Sequence, residues 1–136
     1  MAHEIKLLEA PFEAERAMSE KYVAVEIGTN ADQVDLPDGN NDKVIGIIQN
    51  TVATAGDSVN VCVAGISKAV AGAAFSKGDY LVAAITTGRL ITCPAISSTW
   101  TGTPASTEHV IAIALEAAGA GGDIVSVLIR PLVIAH

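Results

Sequence analysis

The chain has few of the residues on which catalytic and metal sites depend. In 136 residues there are two cysteines and three histidines. Cys62 and Cys93 lie far apart in the sequence, a spacing that offers neither a disulfide framework nor a zinc site. His3, His109 and His136 show no spacing typical of metal ligands. We therefore expect buried free thiols, no metal site and no cofactor.

Charge is also scarce. Only 17% of the residues are charged, the net charge is −7, and the eight basic residues are scattered. Without a basic cluster, electrostatic binding to a nucleic-acid backbone is disfavoured. A surface with so little charge must expose many neutral side chains, which favours lasting protein contacts.

Long hydrophobic runs are missing as well. No apolar run approaches the ~18 residues needed to span a membrane. The first residues, MAHEIK, lack the apolar core of a signal peptide. We expect no membrane association and no secretory targeting.

Half of the residues are nevertheless hydrophobic, and only 4% are aromatic. The core must therefore be built from Val, Ile, Leu and Ala, which favours sheet over helix. A chain of this length fits one domain that buries roughly two-thirds of its unfolded surface. We predict a mainly β fold, a small β-barrel or β-sandwich of hairpins.

An internal repeat organises this fold. The sequence VIGI at 44–47 leads to GDSVNV at 56–61, and VIAI at 110–113 leads to GDIVSV at 122–127, an offset of 66 residues. Alternating valines in both copies predict a strand with one core face and one face toward solvent or a partner. Asn60, Ser126 and Arg130 fall on the second face. The repeat units span 44–63 and 110–129.

A Gly-Asp step opens an apolar run three times. Gly tolerates the positive φ of a tight turn, and Asp can hydrogen-bond the backbone just before it. These pairs are therefore interpreted as structural turns and not as catalytic carboxylates. They are Gly56-Asp57, Gly78-Asp79 and Gly122-Asp123.

Residues 1–21 form a charged segment that differs from the remainder, residues 22–136, which we assign to a single β-rich domain. Pro11 could begin a short helix through residues 12–18, and an extended arm docked on another chain is equally compatible. We expect such an arm to be separable from the fold. Its apolar residues are candidate contacts with a capsid or a neighbouring protomer: Ile5, Leu7, Leu8 and Phe12.

Shorter signals complete the strand assignment. Residues 22–27 alternate, with Val23, Val25 and Ile27 predicted inward. Residues 30–43 form an acidic turn-rich loop whose spacing does not fit a helix-loop-helix calcium site. Residues 80–85 and 90–93 flank a four-residue connection and predict a hairpin. A Ser/Thr-rich loop at 96–108 carries Trp100, a further candidate contact.

Two other functions stay open at this point. A carbohydrate- or host-surface-binding module would use Trp100 and its loop. A small β-barrel enzyme would use Asp57 or Asp123 as a base. The run Gly119–Gly122 precedes a strand, whereas a phosphate-binding loop needs a following helix, so it is interpreted as a turn.

The order of several segments resembles the bacteriophage capsid cement, or head decoration, proteins. No single segment is specific, but their succession over residues 44–130 is. The segments are VIGI at 44–47, VNV at 59–61, AGI at 64–66, AVAGA at 69–73, GDYLV at 78–82, GR at 88–89, PA at 94–95, VIAIALEAA at 110–118 and GDIVSV at 122–127.

The resemblance implies a structural protein without catalysis. It implies a β-rich homotrimer, made in the host cytoplasm, that binds the major capsid protein on the outer capsid surface and stabilises the shell. This chain departs from the family pattern at residues 19–22, where the usual turn contains glycine, and in the Asp/Asn loop after Gly28.

Overall fold

The computed structural model describes residues 2–38, 43–93 and 107–135. These residues form strands, turns and bends and contain no helix, which confirms the mainly β prediction. The strands are β1 (Ile5–Ala14), β2 (Ala24–Ile27), β3 (Gln33–Asp35), β4 (Val44–Ile48), β5 (Ser58–Val70), β6 (Tyr80–Ala83), β7 (Leu90–Thr92), β8 (Thr107–Ala114) and β9 (Ile124–Ala135).

Hydrogen bonding arranges these strands as two rings that share β5. The sheet order is β1-β3-β2-β4-β5-β9-β8-β6-β7, and β1 also pairs with β5, which closes the first five strands into ring 1. Ring 2 contains β5, β9, β8, β6 and β7, and it closes where Ala71, directly after β5, bridges Leu90 in β7. The buried side chains form two hydrophobic clusters, one mainly from each ring.

The two rings repeat the same pairing residue by residue. The β2–β4 pairing of ring 1 and the β6–β8 pairing of ring 2 also have a register shift at corresponding residues. Corresponding pairs are Ile47–Cys62 and Ile113–Leu128, Ala24–Ile47 and Tyr80–Ile113, Ile27–Val34 and Ala83–Leu90, Phe12–Val59 and Ala69–Val125, and Ala14–Val34 and Ala71–Leu90. The repeat seen in the sequence is therefore one part of a larger duplication that includes β1, β2 and β3.

This larger duplication has no single offset in the sequence. Corresponding residues of β2 and β6 lie 56 positions apart, whereas those of β4 and β8 lie 66 apart. The difference falls in the connection between β7 and β8, which is longer than that between β3 and β4. Moreover, β5 ends ring 1 and begins ring 2, so the two copies overlap in sequence.

The three Gly-Asp steps have the same backbone geometry. Gly56, Gly78 and Gly122 have φ values of 94°, 90° and 94°. Each glycine N–H donates to an alanine carbonyl on a neighbouring segment, and the N–H of the same alanine donates to the aspartate carbonyl, so two hydrogen bonds join each step to its alanine. The alanines are Ala14, Ala114 and Ala71, in the order of the glycines above.

Several details differ from the sequence-based expectations. The helix considered for residues 12–18 is not formed, because β1 continues through Pro11 and Ala14 takes part in closing ring 1. The segment is instead a strand of the sheet, paired with β5 and β3. Residues 30–43 also contain β3, a three-residue strand too short and too polar to be recognised.

One predicted orientation is wrong, and one residue is buried where exposure was expected. Ile27 is exposed and Glu26 is buried, because the register shift after Val25 interrupts the alternation of β2. Ser126 lies on the second face of β9 as predicted but is buried, because the N-terminal segment covers that part of β9 through His3.

The turn geometry predicts the effect of replacing its glycines. A β-carbon at Gly122 would meet no atom within 4 Å, so a substitution acts only through the positive φ. Gly56→Val and Gly122→Val should each lower the free energy of unfolding by about 1–3 kcal/mol, measured by urea denaturation. Gly119→Val, in the same loop and without a positive φ, is the control. Equal stability of Gly122→Val and Gly119→Val would contradict this account.

An ion pair joins the β1–β2 connection to ring 2. Arg89 donates through Nε and a terminal nitrogen to the two carboxylate oxygens of Glu20, both at 2.8 Å. The hydrogen bonds from Arg89 lower the pKa of Glu20 below its ordinary value of 4.5. Both side chains are partly exposed, so solvent and salt screen the pair.

The depressed pKa fixes the sign of a pH effect. The pair contributes stability above the unfolded pKa of Glu20, and this contribution is lost as the pH falls through the lower folded pKa. Glu20→Gln should therefore be less stable than wild type at pH 7, with the difference shrinking as the pH falls below the ordinary pKa of 4.5. Urea midpoints across this range measure it, and a difference that grew on acidification would contradict the assignment.

Candidate contact surface

Three predicted contact residues lie together on the first half of β1. Ile5, Leu7 and Leu8 are 57%, 76% and 55% exposed. Large aliphatic side chains exposed side by side indicate an interaction surface more often than isolated ones do. These three residues are referred to as the β1 patch.

A β-bulge explains how two consecutive leucines of one strand are both exposed. Lys6 pairs with Gly65 and Leu8 with Ala64, so Leu7 is an extra residue without a partner on β5. The bulge requires glycine opposite it. Gly65 has φ 104°, and a β-carbon there would lie 2.4 Å from the Ile5 carbonyl oxygen and 2.7 Å from the Leu7 nitrogen.

Charged side chains border the β1 patch. Lys6 Nζ lies 3.0 Å from a carboxylate oxygen of Glu4 and 3.4 Å from one of Glu9. Lys68 on β5 lies 3.8 Å from Glu4. The hydrogen bond to Glu4 raises the pKa of Lys6, which keeps its ammonium group charged. An apolar centre with a polar rim is the usual anatomy of a protein interface.

A second anchor holds the chain just before the patch. The His3 N–H donates to Ser126 Oγ at 2.6 Å, and this hydroxyl lies 3.1 Å from the His3 carbonyl oxygen, to which it donates. The Ser126 N–H donates to a Glu116 carboxylate oxygen at 2.7 Å, and this bond lowers the pKa of Glu116. The β1 patch is thus fixed on both sides, by Ser126 before it and by β5 along it.

Phe12 and Trp100 are not part of the β1 patch. Phe12 is half-buried and lines a groove of about 580 Å³ at the mouth of ring 1. This open groove is mainly apolar. Its lining residues are Phe12, Ile27, Asp32, Gln33, Val44, Ile45, Val63 and Pro131. Trp100 lies outside the described residues.

A small acidic cluster lies beside β2 and β3. Carboxylate oxygens of Glu26, Asp35 and Asp38 are within 4.8 Å of one another. Arg16 donates to the buried Asp35 at 2.7 Å, and the Leu36 N–H donates to the same carboxylate. The corresponding positions of ring 2 hold Val82 and Ile91, so the fold does not require charge there.

Cys62 is buried and Cys93 is half-buried, and neither forms a disulfide bond. Burial raises the pKa of Cys62, which disfavours the reactive thiolate. Within the described ranges, no helix is long and apolar enough to cross a membrane.

The described residues thus form a β-structured protein that exposes three neighbouring aliphatic side chains, the β1 patch. Such a patch is suited to contact with another protein. A family profile described as phage cement protein matches residues 16–130. The chain therefore belongs to the phage cement protein family.

A solved structure gives the same architecture. The head fiber gp8.5 N base in bacteriophage phi29 is similar with a TM-score of 0.54 and 20% sequence identity, over 90% of this chain and 93% of that one. At this identity the likeness shows the fold. No curated protein matches the chain significantly.

Gly65 provides a test of how the patch is held. Gly65→Ala should push the first half of β1 off β5, because the added methyl group meets backbone atoms that cannot rotate away. We expect a loss of about 1–3 kcal/mol and faster amide hydrogen exchange in residues 5–9. Gly119→Ala, where a β-carbon makes only an ordinary contact, is the control. Unchanged exchange in β1 would contradict the bulge.

Proposed function

We propose that this protein binds the outer surface of an icosahedral phage capsid and stabilises it, with the β1 patch as its contact with the major capsid protein. The observation that carries the proposal is the patch itself, three exposed aliphatic residues on an anchored strand, in a member of the phage cement protein family. No catalytic step is involved.

The anchoring of the patch supports this function. A cement protein must hold neighbouring capsid subunits together, and a rigid contact surface loses less conformational entropy on binding than a flexible arm. The bulge at Leu7 and the His3–Ser126 bonds provide this rigidity before any partner binds.

In this proposal the protein is made in the host cytoplasm and acts on the virion as a homotrimer. Linking three copies raises the effective concentration of each remaining contact once one has formed. A patch of three aliphatic side chains per copy can then suffice for stable attachment.

The alternative functions have weaker support. The carbohydrate-binding alternative depends on Trp100, outside the described residues. The enzyme alternative depends on Asp57 or Asp123, and the Asp123 carboxylate accepts hydrogen bonds from the Gly119 and Ala120 amides at 2.9 and 3.2 Å. That carboxylate has a structural partner in its turn.

Charge introduced into the patch should weaken capsid binding. Leu7→Lys and Leu8→Lys should each raise the dissociation constant at least about tenfold, which corresponds to about 1.4 kcal/mol, because a lysine ammonium group must be desolvated in an apolar contact. Co-sedimentation with phage capsids at a series of protein concentrations measures the constant. Both positions are exposed, so the fold should be retained.

Ile124→Lys is the matched control, since Ile124 is a similarly exposed aliphatic residue on β9, outside the patch. Binding by Leu7→Lys and Leu8→Lys equal to that of the control would remove the patch from the proposal. Failure of the wild-type protein to sediment with capsids would overturn the function.

A further inference from the structure

We propose that copies of this chain bind each other head to tail, with one face of ring 2 of one copy seated in the open groove of ring 1 of the next. The face consists of Tyr80, Ile113 and Leu128 and is referred to as the outer face of ring 2. The inference deepens the proposed homotrimer and does not depend on capsid binding.

The contact between the two rings of a single chain is the template. The outer face of ring 1, formed by Ala24, Ile47 and Cys62, is fully buried and belongs to the hydrophobic cluster of ring 2. The backbones touch as well. The Ala24 N–H donates to the Gly88 carbonyl oxygen at 2.8 Å, and a β-carbon on Gly88 would lie 2.4 Å from the Ala24 oxygen.

Ring 2 uses a defined set of residues to receive that face. Ala69, Ile111 and Ile129 are buried in the same cluster as Ala24, Ile47 and Cys62. Strand pairing identifies their counterparts in ring 1 as Phe12, Ile45 and Val63, respectively. These three counterparts line the open groove and are only half-buried.

The face that would fill this groove is also uncovered. The counterparts of Ala24, Ile47 and Cys62 in ring 2 are Tyr80, Ile113 and Leu128. Tyr80 is 44% exposed, whereas Ala24 is fully buried. Ile113 and Leu128 are half-buried, whereas Ile47 and Cys62 are fully buried.

Among the described residues, the duplication therefore leaves each chain with one unfilled groove and one uncovered face, and the chain already contains a contact that joins surfaces of these two kinds. This continuity favours a second copy as the occupant over an unrelated protein. Tyr80 has an aromatic side chain where Ala24 has a methyl group, and the groove, with a volume of about 580 Å³, has room for this larger side chain. Since the surfaces differ, the contact is heterologous and forms a ring where its rotation closes.

Charged variants of each surface test the inference by mass. Wild type should have three times the 13.9 kDa chain mass by light scattering. Tyr80→Lys, on the face, and Ile27→Lys, in the groove, should each fall to one third of the wild-type mass. Both positions are exposed, and Ile124→Lys, outside both surfaces, should keep the wild-type mass.

Mixing the two variants distinguishes a head-to-tail contact from a symmetric one. The intact groove of Tyr80→Lys can accept the intact face of Ile27→Lys, but no further contact can form. An equimolar mixture should therefore contain dimers and no larger species. A mixture that stays monomeric, or one that regains the full wild-type mass, would overturn the proposal.

A disulfide test decides the matter if a lysine variant fails to fold. Two separate variants, Tyr80→Cys and Asp32→Cys, are made in a Cys93→Ser background. Tyr80 is the counterpart of Ala24 and Asp32 that of Gly88, and within one chain Ala24 and Gly88 are close enough for a disulfide. Oxidation should link the two variants when they are mixed and link neither alone. Linkage within one variant alone, or none in the mixture, would overturn the contact.

The capsid assay separates this inference from the proposed function. A wild-type protein that binds capsids but is monomeric, or groove variants that lose capsid binding at unchanged mass, would overturn the head-to-tail contact and leave capsid binding in place. A trimer that assembles as described but does not sediment with capsids would do the reverse.

Discussion

The structure depends on the backbone of β5, which must satisfy two rings at once. Around Val61 it pairs with β1 on one edge and β4 on the other, and around Gly65 it pairs with β1 and β9. Buried backbone groups need such partners along their whole length. The small residues between Val63 and Val70 allow this crowding, and Gly65 alone allows β1 to bulge against it. The position of the β1 patch is thus a consequence of how β5 is shared.

The parts of the fold that could be predicted are those fixed by local pattern. The repeat at 44–63 and 110–129, the hairpin of β6 and β7, and the Gly-Asp turns all depend on residues close in sequence, where alternation and positive φ leave clear signals. The duplication of β1, β2 and β3 could not be predicted in this way, because its offset differs from 66 and its side chains have diverged, as Glu26 and Val82 show.

Only the exposure of the β1 patch was predicted from the sequence, and the strand that carries it was not. Exposure of Ile5, Leu7 and Leu8 was expected from an arm, yet the structure exposes them through a bulged strand of the core sheet. A signal for the bulge was present, since glycine inside a strand pattern marks close backbone approach, and Gly65 is such a residue. The anchor at Ser126 had no signal, because a strand of alternating residues does not show which covering segment buries its polar face.

Duplication within one chain also explains where its surface is apolar. Each ring buries its own interior. Because the contact between the two rings joins unlike surfaces, only one ring of a chain can cover the other. The outer face of ring 1 covers the mouth of ring 2. Within the described residues, the two corresponding surfaces stay uncovered: the outer face of ring 2, on β6, β8 and β9, and the open groove at the mouth of ring 1. Phe12, Ile45 and Tyr80 lie on these two surfaces and are at least partly exposed, and Phe12 and Ile45 also pack against the core of ring 1. The side chains at these positions are aliphatic or aromatic, whereas the carboxylates of Glu26 and Asp35 in ring 1 are buried. Exposed apolar side chains at these positions are expected of the proposed head-to-tail assembly, because such patches on a soluble protein commonly mark contacts with another chain.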